Sequence, residues 1–214
     1  MKSLAAPVIP AKLQDITLSN IEDGQQFEAV RVKDTTLSGI ETKRITVESA
    51  IFENAEMSVC QIKKSSLSDV VFDNCLLFGT NLDGSGLHRV IFKKGMHSGI
   101  VLSDTVLEDV VFEGAKLNLA NFRVSKLKRV TFNRCDLSEA DFQGAELKAV
   151  AFKDCDLSQA EFTGCNMSDV DLRGSNISTV KGIAGLKGAK IDTTQLITIS
   201  QRMASELGLA VDGS

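Results

Sequence analysis

The chain has 214 residues, of which 43% are hydrophobic and 24% are charged, so it is long enough and apolar enough to form one domain with a buried core. Its 28 acidic and 24 basic residues give a net charge of -4, which implies neither a polybasic nucleic-acid surface nor a strongly acidic body. Trp and Tyr are absent, so most of the stacking platform that single-strand nucleic-acid binders use is missing.

The first 26 residues come before any regular pattern. Residues 1–13 include a short apolar patch interrupted by Pro7 and Pro10, which is too short and too broken for a secretory signal or a membrane span. This composition favours a cytoplasmic protein that does not contact membranes. We expect residues 1–26 to form an N-terminal cap over the repeat that follows, with a short strand near residues 16–21.

From residue 27 to residue 180, a central position recurs every fifth residue without an insertion. Phe112, Leu117 and Phe122 illustrate the spacing, and only Thr42 and His97 place a residue that is not apolar at this position. A helix repeats near 3.6 residues and a flat strand at 2, so a period of five fits neither element alone. Small or β-branched residues precede each central residue by two. The spacing therefore predicts a repeat architecture.

The units CDLSE (135–139), ADFQG (140–144), AELKA (145–149) and CDLSQ (155–159) resemble the pentapeptide-repeat family. This resemblance implies an all-β solenoid, a right-handed quadrilateral β-helix with one unit on each side and the central and minus-two residues inside. Val70, Val90 and Val110 recur every twenty residues and each precedes a Phe by two, which supports a coil of that length independently. We expect about eight coils over residues 27–180, with glycines such as Gly114 and Gly144 at corners of positive φ.

After residue 180 the repeat gives way to a glycine-rich loop and an amphipathic helix, so residues 181–214 are interpreted as a loop and a C-terminal helical cap. Asp192 is the expected N-cap, Gln195 its capping-box partner and Gly208 the C-terminal stop. This end is similar to the terminal helix and tail of the Qnr-type quinolone-resistance proteins, and the resemblance implies a homodimer. The question stays open, because any apolar helix can cover a tube. The candidate dimerisation residues are Leu196, Ile199, Met203, Leu207, Leu209 and Val211.

Few residues offer chemistry. His97 occupies an inward position with Gly95 in the minus-two slot, where a missing side chain would make room for the ring, and we expect a buried, hydrogen-bonded histidine. An enzyme or metal protein built around His97 is the alternative. All five cysteines occupy minus-two positions and are expected to pack as free thiols. No phosphate loop or nucleophile elbow is present. We therefore predict no catalytic, cofactor-binding or metal-binding residues, and no enzyme activity.

Two outward features are candidates for recognition. A ladder of β-branched residues lies one position before the Phe column and is expected to face solvent, either as a docking strip or as ordinary strand stacking. The ladder residues are Ile51, Val71, Ile91, Val111 and Thr131. The second feature is a basic cluster formed by Lys126, Lys128, Arg129 and Lys148. Acidic residues share its side, so we interpret it as a solvated face of mixed charge.

These observations favour a non-enzymatic scaffold that binds another protein through a coil face, with an unassigned partner. The family resemblance supplies the alternative of a DNA mimic that binds DNA gyrase or another topoisomerase and affects quinolone sensitivity. A rod of about 38 Å corresponds to roughly 22 phosphates of duplex DNA. The net charge is only -4, the outward charges are mixed on every side, and the repeat has no room for a projecting loop. These departures weaken the alternative, and no direct nucleic-acid binding is expected.

Overall fold

The computed structural model describes residues 4–206 and 208–209. Over these residues the chain winds into a parallel β-solenoid of about nine turns with a helix at its C-terminal end. The strands are β1 (Gln14–Ile16), β2 (Gln26–Glu28), β3 (Val30–Lys33), β4 (Glu41–Lys43), β5 (Thr46–Glu53), β6 (Gln61–Lys63), β7 (Ser66–Asp73), β8 (Gly86–Lys93), β9 (Val106–Glu113), β10 (Lys126–Asn133), β11 (Glu146–Lys148), β12 (Ala151–Lys153), β13 (Asn166–Ser168), β14 (Val170–Asp171) and β15 (Ala189–Lys190). The helix α1 spans Thr193–Glu206.

Parallel pairing between successive coils confirms the repeat length of twenty residues. Phe72 of β7 is in register with Phe92 of β8, which is in register with Phe112 of β9. The described chain forms about nine turns, compared with about eight coils predicted for residues 27–180. The difference arises at the ends, because β1 pairs with β3 before the repeat begins and β15 pairs with β14 after it has faded.

The interior of the solenoid is filled by columns of stacked side chains. Phe92 and Phe112 stack with ring centroids 4.7 Å apart, and Phe122 and Phe142 form a second column with the same spacing. Rings of the two columns meet edge to face, as Phe122 and Phe132 do at 5.8 Å. Offset stacking and edge-to-face contact are the arrangements that aromatic quadrupoles favour. The predicted facing Phe columns are therefore present, and each coil repeats the spacing of a β-sheet.

The corners have a left-handed backbone two residues after the central residue, from Ala29 to Gly174. Gly114 and Gly144 have φ values of 60° and 70°, as expected for corner glycines. Many corners carry other residues in the same conformation, including Val59 at 59° and Leu119 at 61°. The conformation is thus imposed by the coil and not by the residue type.

The C-terminal helix begins and ends as predicted. The backbone N–H of Gln195 donates to Asp192 Oδ1 and the backbone N–H of Asp192 donates to Gln195 Oε1, both at 2.9 Å, which forms the reciprocal capping box. Gly208 has a φ of 72°, and Leu209 N–H donates to the Ala204 carbonyl at 2.8 Å, as in a Schellman motif. The helix therefore has a defined start and a defined stop.

Candidate protein-interaction surfaces

The predicted ladder lies along one side of the rod. Ile51 pairs with Val71, Val71 with Ile91, Ile91 with Val111, and Val111 with Thr131 in adjacent strands. We expected these side chains to face solvent. All five are half-buried and not fully exposed. β-Branched side chains stacked on neighbouring strands shield one another in this way. The ladder is continuous, but it presents less apolar surface than the sequence suggested.

A second apolar surface, which the sequence analysis did not identify, lies on the next side of the rod. Phe78 is the one phenylalanine outside the central register, and it is 57% exposed. Leu76 and Met96 are also exposed, and their backbones pair in a parallel β-bridge between adjacent coils. Val59 and Leu119 are exposed at the corner of the same side. We call these five residues the Phe78 patch. Their signal in the sequence was the apolar character of outward positions that other units fill with polar residues.

Two glycines shape the corner of the Phe78 patch. Val59, Gly79, Gly99 and Leu119 are spaced by twenty residues, and nothing lies within 4 Å of the position of a Cβ at Gly79 or Gly99. The column therefore has an apolar side chain at each end and an open notch between them. Contiguous exposed apolar patches of this kind mark protein-interaction sites on many soluble proteins.

Two residues of the predicted basic cluster form ion pairs with neighbouring carboxylates. Lys128 Nζ lies 2.8 Å from Glu108 Oε1, and Arg129 contacts both Glu108 and Asp109 at 2.6 Å. Hydrogen bonds from Lys128 and Arg129 hold the pKa of Glu108 below its usual range. The interpretation of a mixed-charge face is consistent with these pairs, which neutralise Lys128 and Arg129 of the cluster.

Along a neighbouring corner, alternate carboxylates and guanidiniums stack from coil to coil. Arg89 donates to both oxygens of Asp69 at 2.6 Å, and Arg129 donates to both oxygens of Asp109 at 2.7 and 2.6 Å. Bonds from Arg89 hold the pKa of Asp69 below its usual range against the effect of burial, and Arg129 does the same for Asp109. Both carboxylates are nearly fully buried, at 4% and 3% exposure. Bidentate pairing stabilises such groups in the ionised form.

The N-terminal segment, residues 4–13, covers this corner. We call this segment the N-terminal strap. Val8 N–H donates to Asp69 Oδ1 at 2.8 Å, and Ala5 N–H donates to Asp109 Oδ1 at 3.2 Å. Ser49 donates to the Val8 carbonyl at 3.3 Å. The strap thus runs along the side of the rod over several coils before the chain enters β1.

His97 is buried as predicted, but the predicted hydrogen bond is wrong. Its side chain is fully buried, and neither ring nitrogen has a partner. Burial lowers the pKa of His97 to about 4, and the nearby Lys94 and Met96 backbones oppose the shift without forming a hydrogen bond of good geometry. A Cβ on Gly95 would lie 2.9 Å from His97 Cε1 and 2.3 Å from the Cys75 carbonyl oxygen, so only glycine fits beside this ring.

The cysteines pack as small buried groups. All five are free, and four of them are buried. Cys75 Sγ–H donates to the Phe52 carbonyl at 3.4 Å, and burial raises the pKa of the Cys75 thiol to about 11. A thiol held in its neutral form is a poor nucleophile and a poor metal ligand. Within residues 4–206 and 208–209, no group of three potential metal ligands comes together.

The proposed dimerisation residues fall into different environments. Ile199 is buried at 1% exposure, and Met203 packs partly against the core. Leu196 and Leu209 are exposed at 47% and 60%. Leu207 and Val211 lie outside the described residues. Ile199 therefore covers the end of the tube within one chain, and among the candidate residues that the structure describes, Leu196 and Leu209 are the exposed ones. A cleft of about 310 Å³ remains between the helix and the turn Ile183–Leu186.

Among the described residues, no helix is both long enough and apolar enough to cross a membrane. The fold and the repeating units together define the class of protein: a parallel β-solenoid built from five-residue sides. A family model described as "Pentapeptide repeat region" matches residues 65–142 and 107–182, which is more than half of the chain. The chain belongs to the pentapeptide-repeat family.

Solved structures share this fold. HetL, a pentapeptide repeat protein involved in heterocyst differentiation regulation from the cyanobacterium Nostoc sp. strain PCC 7120, superposes with a TM-score of 0.51 at 17% identity, over 77% of this chain and 88% of HetL. QnrB1, a plasmid-mediated fluoroquinolone resistance protein, gives a TM-score of 0.47 at 17% identity, over 89% of this chain and 99% of QnrB1. Comparison with curated proteins finds no significant match.

Proposed function

We propose that the protein is a non-enzymatic scaffold that binds another protein through the Phe78 patch. The observation that carries the proposal is the position of Phe78, because ten of eleven phenylalanines fill the interior and this one is 57% exposed. Leu76 and Met96 extend the apolar surface over the adjacent coil. Aromatic residues and methionine are enriched at protein interfaces, where a few of them carry most of the binding energy.

The surroundings of the patch favour a protein ligand over a small molecule. The patch has a shallow notch at Gly79 and Gly99, where nothing lies within 4 Å of an added Cβ, in place of an enclosed pocket. Small-molecule sites are concave and bury most of their ligand. A side of the rod that presents Phe, Leu and Met to solvent is suited to a complementary apolar surface on a partner.

Capture from the host lysate with matched variants tests this proposal. We expect a partner retained by the wild-type protein to be lost with Phe78→Glu, with binding weakened by about 2 kcal/mol or more. Val106→Glu is the control, since Val106 is 48% exposed on another side of the rod. Equal capture by both variants, with unchanged melting temperatures, would reject the Phe78 patch as the binding surface.

The ladder remains a second protein-binding proposal. Val71→Thr combined with Val111→Thr preserves the β-branched shape and removes two apolar methyl groups from its outer surface. Loss of the captured partner with this double variant, and not with Phe78→Glu, would assign binding to the ladder.

The proposal of a DNA mimic that acts on gyrase has less support in the charges. Asp141, Glu108 and Asp171 are each paired with an arginine or lysine, so part of the acidic surface is neutralised within the protein. A gyrase supercoiling assay with and without the protein at micromolar concentration tests it, and no change in supercoiling rejects it.

A homodimer through Leu196 and Leu209 is tested separately, by sedimentation of Leu196→Glu against the wild type. The five free thiols support a cytoplasmic, reducing location.

A further inference from the structure

We propose that the corner formed by Asp69, Arg89, Asp109 and Arg129 is a binding track for a polyproline-II segment of a partner protein, and that the N-terminal strap occupies this track in the free protein. The track is distinct from the Phe78 patch, which lies on another side of the rod, so the two proposals stand or fall separately.

The first argument is a match of two spacings. The Ala5 and Val8 N–H groups are three residues apart, and their acceptors Asp109 and Asp69 are two coils apart. A polyproline-II helix rises about 9.3 Å in three residues, since it has three residues per turn. Two coils rise about 9.6 Å at the spacing of neighbouring strands. An extended chain that lies along the rod axis therefore presents one N–H to every second coil.

The second argument is the exposure pattern of the strap. Leu4, Pro7 and Ile9 are half-buried, whereas Ala5, Ala6, Val8 and Pro10 are exposed. Pro7 and Pro10 each fix their own φ near the value of polyproline II. The strap is thus held by main-chain bonds, and its exposed side chains at positions 5, 6 and 8 contribute little to recognition.

The third argument is the construction of the track. Each carboxylate is oriented by a bidentate arginine from the next coil, independently of the hydrogen bond that it accepts from the strap. Charges alternate along the corner, so Asp69, Arg89, Asp109 and Arg129 sum to zero. An uncharged ligand suits a track with no net charge, and residues 4–11 of the strap, LAAPVIPA, carry no charged side chain. The track is therefore preorganised for an apolar, proline-containing main chain.

Displacement is the expected mode of binding. The strap is tethered to β1 by a few residues, which gives it a millimolar effective concentration at the track. A partner segment of the same chemistry must compete with that concentration. The strap therefore weakens the apparent affinity of the partner segment but does not prevent its binding. The strap acts as an internal competitor.

Proline substitution provides a selective test, because it removes an N–H and keeps the extended conformation. Ala5→Pro with Val8→Pro removes both donors to the track. Ala6→Pro is the matched control, as it also creates a second adjacent proline but removes neither donor. The probe is a fluorescein-labelled synthetic peptide of residues 4–12, and binding is measured by fluorescence anisotropy. We expect the double variant to bind the probe at least about tenfold more tightly than the wild type or Ala6→Pro.

Three results would overturn the proposal. The first is equal binding of the probe to the double variant and the wild type, and the second is no binding to a double variant whose circular dichroism shows an intact rod. The third is a wild-type dimer that the double variant abolishes, which would assign the track to a second copy of the chain. If the double variant does not fold, hydrogen exchange of the wild type decides: Ala5 and Val8 amides must exchange more slowly than Ala6, and equal rates reject the docked strap.

Discussion

At the scale of single residues, the corners of the coil hold the backbone of several non-glycine residues in a left-handed conformation that these residues otherwise avoid. Val59 and Val124 have φ values of 59° and 50°, and a β-branched residue at positive φ is a true outlier. The left-handed conformation costs roughly 1–2 kcal/mol for an L-residue. The sequence predicted this conformation at the glycines, but it could not show that valine and leucine adopt it too, since their preference is overridden by the geometry of the coil.

Val59→Gly is expected to raise the free energy of unfolding by about 1 kcal/mol, because the relief of strain exceeds the added entropy of the unfolded chain. Val106→Gly is the matched control, since Val106 is also an exposed valine but lies in β9. It should lower the free energy of unfolding by about 1 kcal/mol. Urea denaturation of the two variants measures both effects, and destabilisation by Val59→Gly would contradict the account of the corners.

His97→Leu is expected to stabilise the rod by about 1–3 kcal/mol, because it removes two buried nitrogens that have no hydrogen-bond partner. The neighbouring inward residues Leu77 and Leu117 show that leucine suits this column. Thermal unfolding checks the prediction. A lower melting temperature for His97→Leu would mean that the imidazole makes a favourable contact in the native protein.

The same residue predicts a dependence on pH. Burial lowers the pKa of His97 from 6.5 to about 4 in the folded state, so between these pH values the unfolded chain binds a proton that the folded chain does not. Stability is therefore retained above pH 6.5 and lost as the pH falls towards 4, by up to about 3 kcal/mol. Urea denaturation at pH 7 and pH 4.5 should show this loss in the wild type, and a parallel loss in His97→Leu would reject His97 as its source.

At the scale of elements, α1 is attached to the last coil by a polar anchor as well as by its apolar side. The Gln195 side-chain amide donates to the Leu172 and Ser175 carbonyls, both at 2.7 Å, and its oxygen closes the capping box. The open edge of a solenoid leaves such carbonyls without partners. The sequence predicted the capping box from the spacing of Asp192 and Gln195, but the two carbonyl contacts depend on how the helix docks.

Gln195→Leu is expected to lower the free energy of unfolding by about 2 kcal/mol, because it breaks the capping box and leaves the buried Ser175 carbonyl unpaired, whereas the Leu172 carbonyl keeps the Ser175 N–H at 3.2 Å. Gln201→Ala is the control, as Gln201 is exposed on the same helix and its loss should be nearly neutral. Hydrogen exchange in the last coil locates the effect. Equal stability of the two variants would show that the helix is not anchored through Gln195.

At the scale of the whole molecule, the interior could be predicted from the sequence and the surface could not. Every coil repeats the same inward positions, so Phe92 or Phe112 could be placed by counting alone. The strap contacts join Ala5 to Asp109, 104 residues apart, and no period in the sequence relates them. Phe78 was visible as the phenylalanine outside the register, but an outward residue gains meaning only when the neighbouring coil is known. Function on a repeat rod thus depends on departures from the repeat.

The most direct measurement for the central claim, that the rod binds a protein through the Phe78 patch, is hydrogen exchange of the protein with and without its captured partner. The account predicts slower exchange in the coil segments around residues 76–79 and 96–99, with Phe78→Glu abolishing the difference. Slower exchange confined to the ladder, the N-terminal strap or the C-terminal helix would contradict it.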